Sequence, residues 1–464
     1  MADLHVPVDR AKGGIAAQIA GRLRDAVRDG RLAPGTRLPA SRDLAADLQV
    51  SRGVVVEAYE QLVAEGFLVS RVGSGTSVAP LGARPGTRPG AGESREGGGP
   101  YYGHRATSPD LGLFPRERWL AAVRHVLATV PSDALDYGDP GGVPELREEL
   151  AGYLRRVRAA DVRPEQVVVV GGVAQGLSLV LHALARGSAV RLAVEDPSSR
   201  RQLPLLRRAG ARVVHVPVDG EGLVVSALRA DAALVTPAHH YPTGVVLSPA
   251  RRAALTAWAA EGGRTVLEDD YDAEFRYDRD PVGCLQGLAP DRVVLCGSVS
   301  KSLAPGLRLG WVVAPPHLAE AVRRARGELD LGSPVVEQYA LARFLRTGGY
   351  DRHLRRMRRE YRRRRDALVG ALAEVLPEVG VRGIEAGLHV YLELPESWDE
   401  RRLAAAAQEV GLSAEAVGPM RTAPGPPAVV VGFARLPAHR AWEAVQGVKV
   451  RMSGQNVDCG SGSR

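Results

Sequence analysis

Along the first 80 positions apolar residues recur at helical spacing and then alternate. Ile15, Ile19, Leu23 and Val27 share one face of a helix that stops at Gly30. After the turn "RLAPGTRLP", the stretch "SRDLAADLQV" predicts a second helix with Ser41 as its N-cap. "SRGVVVEAYEQLVAEGFL" predicts a third, with Val55, Tyr59 and Leu62 facing inward, and "LVSRVGSGTSVA" two short strands around a Gly-Ser-Gly turn. That order is a winged helix-turn-helix. Such a unit offers the first residues of its third helix to the DNA major groove. Ser51, Arg52, Gly53 and Val54 are therefore candidate base-reading positions, Arg42 a candidate phosphate contact, and Gly73 and Ser74 candidate minor-groove contacts. The alternative is a three-helix protein-interaction module.

The pattern then changes twice. Pro80–Pro100, "PLGARPGTRPGAGESREGGGP", has almost no large apolar residue and reads as a flexible linker. Beyond it, short β-rich runs alternate with helical ones: "QVVVVGG" before "VAQGLSLVLHALA", then "RLAVEDP", "ARVVHVPV", "AALVTPAHH", "RTVLEDDY" and "RVVLCGSVSK". This predicts an α/β unit with a largely parallel sheet, in which ligands bind at the carboxyl ends of the strands. The expected divisions are 10–79 for the helix-turn-helix and 80–100 for the linker. The α/β unit takes 101–450, split into a large part to about 345 and a small part from 346, before a polar tail, 451–464.

Composition adds the chemistry. The chain carries 61 Lys plus Arg against 53 Asp plus Glu, a net charge of +8, which permits a nucleic-acid partner without establishing one. Three widely spaced cysteines and the absence of an 18-residue apolar run give a cytoplasmic expectation, with no membrane association and no metal site. Only Lys12, Lys301 and Lys449 are lysines. Lys301 lies in "GSVSKSLAPGLRLGW", at a strand end, and an amine forms an imine with an aldehyde where a guanidinium cannot. Around it, Asp269 suits a protonated pyridine nitrogen and Tyr271 a ring oxygen. Ser298, Ser300, Arg308 and the amides of Gly172, Val173 and Ala174 suit a phosphate. Together these specify pyridoxal 5′-phosphate, with Lys301 as the residue that carries it. The helix "DRHLRRMRREYRRRRDAL" bears nine arginines between Arg352 and Arg365. It reads as a solvated or ion-paired face, with a second DNA contact as the alternative.

Three resemblances sharpen this. "LPASRDLAADLQVSRGVVVEAYEQLVAEGFL" with "GSGTSV" resembles the GntR family of bacterial transcription factors, although Gly53 and Val54 stand where that family often has hydroxyl residues. The Lys301 constellation resembles the fold type I pyridoxal-phosphate enzymes of the aspartate aminotransferase group. "SPDLGLFPRERW", "EDDYDAEFRYD" and "SKSLAPGLRLGW" resemble the MocR family, of which GabR is a member, over roughly residues 10–445. The resemblance implies a vitamin B6-dependent regulator of transcription that acts as a head-to-tail homodimer on double-stranded DNA. It would sense pyridoxal phosphate or an amino compound through an aldimine at Lys301, with Tyr137 able to reach the partner's cofactor. An arginine at the Arg201 position can bind an effector carboxylate, and Arg435 could replace the aminotransferases' carboxylate-binding arginine, whose place Val430 occupies. Ser199 stands where the family usually has an aromatic, and Tyr241 where the enzymes have an asparagine. These departures favour a sensor. An active aminotransferase fused to a DNA-binding unit is the competing expectation.

Overall fold

The computed structural model describes residues 7–71, 75–80, 105–185, 187–278 and 282–453, and the chain divides into two units, 1–99 and 100–464. Gly73 and Ser74, nearly all of the expected linker and the tail beyond residue 453 lie outside the described residues.

In the first unit the helices are α1 (Ile15–Arg28), α2 (Ser41–Asp47) and α3 (Arg52–Ala64). Strands β1 (Leu68–Arg71) and β2 (Gly75–Val78) pair antiparallel from Leu68↔Val78 to Arg71↔Gly75. Ile19, Leu23, Val55, Leu62, Leu68 and Val78 close one core, which explains their helical and then alternating spacing. The Tyr59 hydroxyl, buried with that core, donates to the Pro39 carbonyl at 3.0 Å. One local expectation fails. Ser41 is the first helical residue and Ala40 is the cap, because the Ala40 carbonyl already accepts from the Leu44 amide at 3.0 Å.

The second unit is built on an eight-stranded sheet. Its strands are β3 (Val167–Val170), β4 (Val190–Asp196), β5 (Ala211–Asp219), β6 (Gly222–Leu223), β7 (Ala232–Val235), β8 (Thr265–Asp270), β9 (Val293–Ser298) and β10 (Gly310–Val313). They are ordered β3-β10-β9-β8-β7-β4-β5-β6. β9, β8, β7, β4 and β5 pair in parallel, whereas β10 is antiparallel to both of its neighbours and β6 to β5. Helices α4 (Arg116–Thr129), α5 (Pro144–Arg158), α6 (Val173–Ala185), α7 (Leu203–Arg208), α8 (Pro249–Glu261), α9 (Pro316–Leu329) and α10 (Val335–Arg346) surround it. The valine runs are continuous because both sheet faces are buried. Val168, Val170, Val294 and Val312 join one core cluster, while Val167, Val169, Leu295 and Val313 join another on the opposite face. A small antiparallel sheet follows, of β11 (Gly380–Arg382), β12 (His389–Glu393), β13 (Ser413–Ala416) and β14 (Ala428–Gly432), ordered β11-β12-β14-β13. With it come α11 (Gly349–Val375), α12 (Glu400–Glu409) and α13 (Ala441–Met452), the last running past the expected end at 450.

One buried ion pair pins the sheet edge that matters below. Arg158, at the end of α5 and 1% exposed, forks onto both oxygens of Asp270 at 2.8 and 2.9 Å and also donates to the Val282 carbonyl. Next along β8, the Glu268 carboxylate accepts from the Leu285 and Gln286 amides at 2.9 and 3.0 Å. Among the described residues no helix is long and apolar enough to cross a membrane.

Candidate functional site

The reversed direction of β10 assembles the site. Its first residue, Gly310, lies between Val170 at the end of β3 and Ser298 at the end of β9. Arg308, two residues earlier, therefore reaches the sheet edge where β3 and β9 end. Glycine makes the room. A Cβ on Gly310 would lie 2.7 Å from the Gly297 carbonyl oxygen and 2.8 Å from Gly172 Cα. Gly172 itself has φ +109°, and a Cβ there would lie 3.2 and 3.3 Å from the Arg308 guanidinium nitrogens. The guanidinium thus lies against the turn whose next amides, Val173 and Ala174, open α6. A cationic fork and a helix N-terminus converge on one spot, an arrangement that suits a phosphate. Ser298 is buried beside it, and its hydroxyl accepts from the Ser300 amide at 3.3 Å.

Lys301 follows three residues after β9 and is partly buried; its Nζ donates to Thr107 Oγ1 at 3.2 Å. Burial lowers its ammonium to about 8, against the opposing pull of Asp272. Asp269, on β8, is 7% exposed. Its Oδ2 accepts from Gln202 Nε2 at 3.2 Å, while its Oδ1 is buried with no partner among the described residues. Burial raises this carboxyl to about 6. An unpaired carboxylate oxygen at a strand end calls for a donor that the described residues do not supply.

Tyr271 stacks on His239 with ring centroids 6.3 Å apart. His239 Nδ1 lies 2.9 Å from Asp272 Oδ2 and 3.2 Å from the Tyr271 hydroxyl. His389, the first residue of β12, brings the small sheet in: its ring is 5.0 Å from that of His239 and 5.3 Å from that of Tyr241. Burial drives the His389 imidazolium well below its usual range, so the ring is neutral. No metal ligand was expected, yet His239, Asp272 and His389 bring one ligand atom each within 4.8 Å. His239 Nδ1 is already taken by Asp272, which favours a hydrogen-bonding layer behind Tyr271.

Of the two candidate effector arginines, Arg201 is 53% exposed and faces Glu415 on β13 at 3.4 Å. Glu415 also accepts from the Ala106 amide at 3.3 Å. Arg435 is exposed after β14 and lies near Tyr361, whose hydroxyl accepts from the Asp110 amide at 2.9 Å. Tyr137 is 83% exposed. Sequence reasoning missed Thr107, Gln202, His239, Asp272, His389 and Glu415. The adjacent histidines of "TPAHHYPTG" and the His of "AGLHVYLELP" were the available signals, polar residues set in apolar runs.

On the first unit, Arg42, Ser51, Arg52 and Gly53 are exposed, whereas Val54 is half-buried against the core. Arg52 Nε donates to Ser41 Oγ at 3.4 Å, which holds its guanidinium between α2 and α3.

Known proteins share both halves. Residues 15–78 match the gntR family of bacterial regulatory proteins, and residues 109–436 match aminotransferase class I and II. The HTH-type pyridoxine biosynthesis transcriptional regulator PdxR of Corynebacterium glutamicum is 38% identical over 401 residues, 84% of this chain and 86% of that protein. The probable rhizopine catabolism regulatory protein MocR of Rhizobium meliloti is 30% identical over 436 residues, 89% and 86% of the two chains. This chain belongs to the MocR family of transcriptional regulators.

Like other MocR-family regulators, it joins a gntR-type helix-turn-helix to an aminotransferase-like fold. The solved structure of LysN, an α-aminoadipate aminotransferase from Thermus thermophilus complexed with N-(5′-phosphopyridoxyl)-L-leucine, superposes with TM-score 0.67 at 27% identity. The match covers 76% of this chain and 92% of LysN.

Proposed function

We propose that this MocR-family chain binds pyridoxal 5′-phosphate at Lys301 and uses the site to sense that cofactor or an amino compound, so as to control its own grip on DNA in the cytoplasm. The observation that carries the reading is the pairing of a desolvated Lys301 amine with the unpartnered Asp269 oxygen on one sheet edge. Asp269 would hold a protonated ring nitrogen, Tyr271 the ring oxygen, and Ser298, Ser300, Arg308 and the Gly172–Ala174 amides the phosphate. When bound, the cofactor supplies an electrophilic aldehyde. The chain supplies the rest. Burial keeps a share of Lys301 unprotonated near neutral pH, and Asp272 and His239 orient the Tyr271 hydroxyl. An effector carboxylate would compete with Glu415 for Arg201, with Arg435 as the further candidate. The chain would act as a head-to-tail homodimer, in keeping with helix-turn-helix units that read paired half-sites.

The decisive experiment selects operator fragments with the purified chain and measures their affinity with and without pyridoxal phosphate and candidate amines. A shift of about fivefold or more is expected. No shift with any of them would remove the sensor reading, and turnover on the order of 1 s⁻¹ or more with an amino donor and a keto acid would replace it with the enzyme reading. Arg52→Ala should cost ~1–3 kcal/mol of operator affinity and relax base preference. At the phosphate seat, Gly172→Ala sets a methyl against the Arg308 fork. It should weaken pyridoxal phosphate about tenfold, ~1.4 kcal/mol, and pyridoxal, which lacks the phosphate, much less.

A further inference from the structure

Two groups stand out among the nine arginines of α11, apart from Arg358, which donates to the Glu274 carbonyl, and the exposed Arg362. In the later turns Arg363 and Arg364 reach Glu360 at 2.9 and 2.7 Å, Arg364 also reaches Asp110 at 2.9 Å, and Arg365 reaches Asp366 and Glu385 at 3.2 and 3.3 Å. Those three bear out the ion-paired expectation. The earlier turns behave differently. Among the described residues Arg352 and Arg356 donate to neutral carbonyls alone, of Thr347 at 3.0 Å and Leu113 at 2.7 Å. Arg355 and Arg359 have no carboxylate partner among the described residues. These four, at i, i+3, i+4 and i+7, share one face of the helix. Arg116 and Arg118, in the first turn of α4, stand opposite, and together the six line an open cleft of about 610 Å³ whose one carboxylate is Glu117. Pro115 caps α4 and has no side-chain acceptor for the first amides, which add positive potential at the same wall.

Six guanidinium groups against one carboxylate repel one another, and a polyanion relieves that repulsion. The cleft is open and its arginines are exposed, unlike a desolvated small-molecule pocket. The helical stripe from Arg352 to Arg359 is about 10 Å long, which matches the rise of about three phosphates on one DNA strand. Duplex DNA is also the polyanion that this chain's gntR-type unit keeps close. The two units belong to one chain, so DNA held by one is concentrated for the other. We propose that the α4–α11 cleft is a second DNA contact, which holds the phosphate backbone of the duplex outside the stretch that α3 reads, without base specificity. The proposal rests on DNA binding by the helix-turn-helix and is independent of the cofactor reading.

The test uses the full chain and mixed-sequence duplexes of about 60 and about 20 base pairs. Arg355→Glu/Arg359→Glu should weaken the longer duplex about tenfold or more, flatten the slope of log K against log salt by about 2, and affect the shorter one less. Arg355→Gln/Arg359→Gln should show the same trend at smaller size, which keeps the test valid if the double charge reversal disturbs the fold. Arg362→Glu, an exposed arginine of the same helix outside the cleft, is the control and should cost less than about threefold. An equal loss with Arg362→Glu, an equal loss on both duplexes, or no loss at all would overturn the proposal. So would a wild-type chain that bound neither duplex.

Discussion

Lys301→Arg is expected to abolish borohydride-fixable labelling by pyridoxal phosphate and to weaken its equilibrium binding by about 100-fold or more, ~2.7 kcal/mol. The substitution keeps the positive charge and most of the bulk but removes the nucleophilic amine. Its effect is large because the wild-type amine is tuned. With its ammonium lowered to about 8, a tenth or so of Lys301 is unprotonated at pH 7. An ordinary lysine would offer roughly 300-fold less. The neutral form is the reactive one, so the rate of covalent capture should climb with pH and level off above about 8. Asp272 pulls the other way, and Asp272→Asn should move that plateau to lower pH. Stopped-flow absorbance across the pH range measures both. Persistent labelling of Lys301→Arg, or a capture rate flat in pH, would refute the assignment.

The second large effect concerns stability. Arg158→Met should destabilise the second unit by ~3–5 kcal/mol, because it leaves Asp270 buried without its partner beside Glu268 and Glu274. The cost should fall mainly on the strand end that presents Asp269 and Tyr271. Arg158→Met/Asp270→Leu should recover most of the loss, since two apolar side chains leave no charge uncompensated. All five tryptophans, Trp119, Trp258, Trp311, Trp398 and Trp442, belong to the second unit, so tryptophan fluorescence in a urea titration follows this unit alone. A double variant no better than the single one would show that the arginine matters for its packing and its Val282 contact more than for its charge.

Much of the architecture was legible because it rests on periodicity. Strands buried on both faces read as valine runs, helices as spaced apolar stripes, and the strand-end residues Asp269, Ser298 and Lys301 fell where parallel strands expose chemistry. The antiparallel turn of β10 left no signature in "LGWVV", although it alone brings Arg308 beside Gly172. His389 and Glu415 were missed for a related reason. They arrive from a sheet more than 80 residues further along the chain, and nothing local says which sheet edge they will meet. Ser41 illustrates the smallest scale: a hydroxyl residue at a helix start signals a cap, but only the carbonyl that accepts the first helical bond decides which residue it is. The arginines of α11 looked alike in sequence, and only their neighbours separated the paired from the unpaired.

Ser302, directly after Lys301, is gripped from α11 by two hydrogen bonds: the Tyr350 hydroxyl donates to its Oγ at 2.7 Å and His353 Nε2 to its carbonyl at 2.7 Å. His353 also borders the arginine cleft. One imidazole thus bridges the lysine's loop and a rod of 27 residues. A load that slid the rod along its axis would strain the bond at the lysine's neighbour, and by thermodynamic reciprocity a ligand at the lysine would then push back on the rod by the same factor.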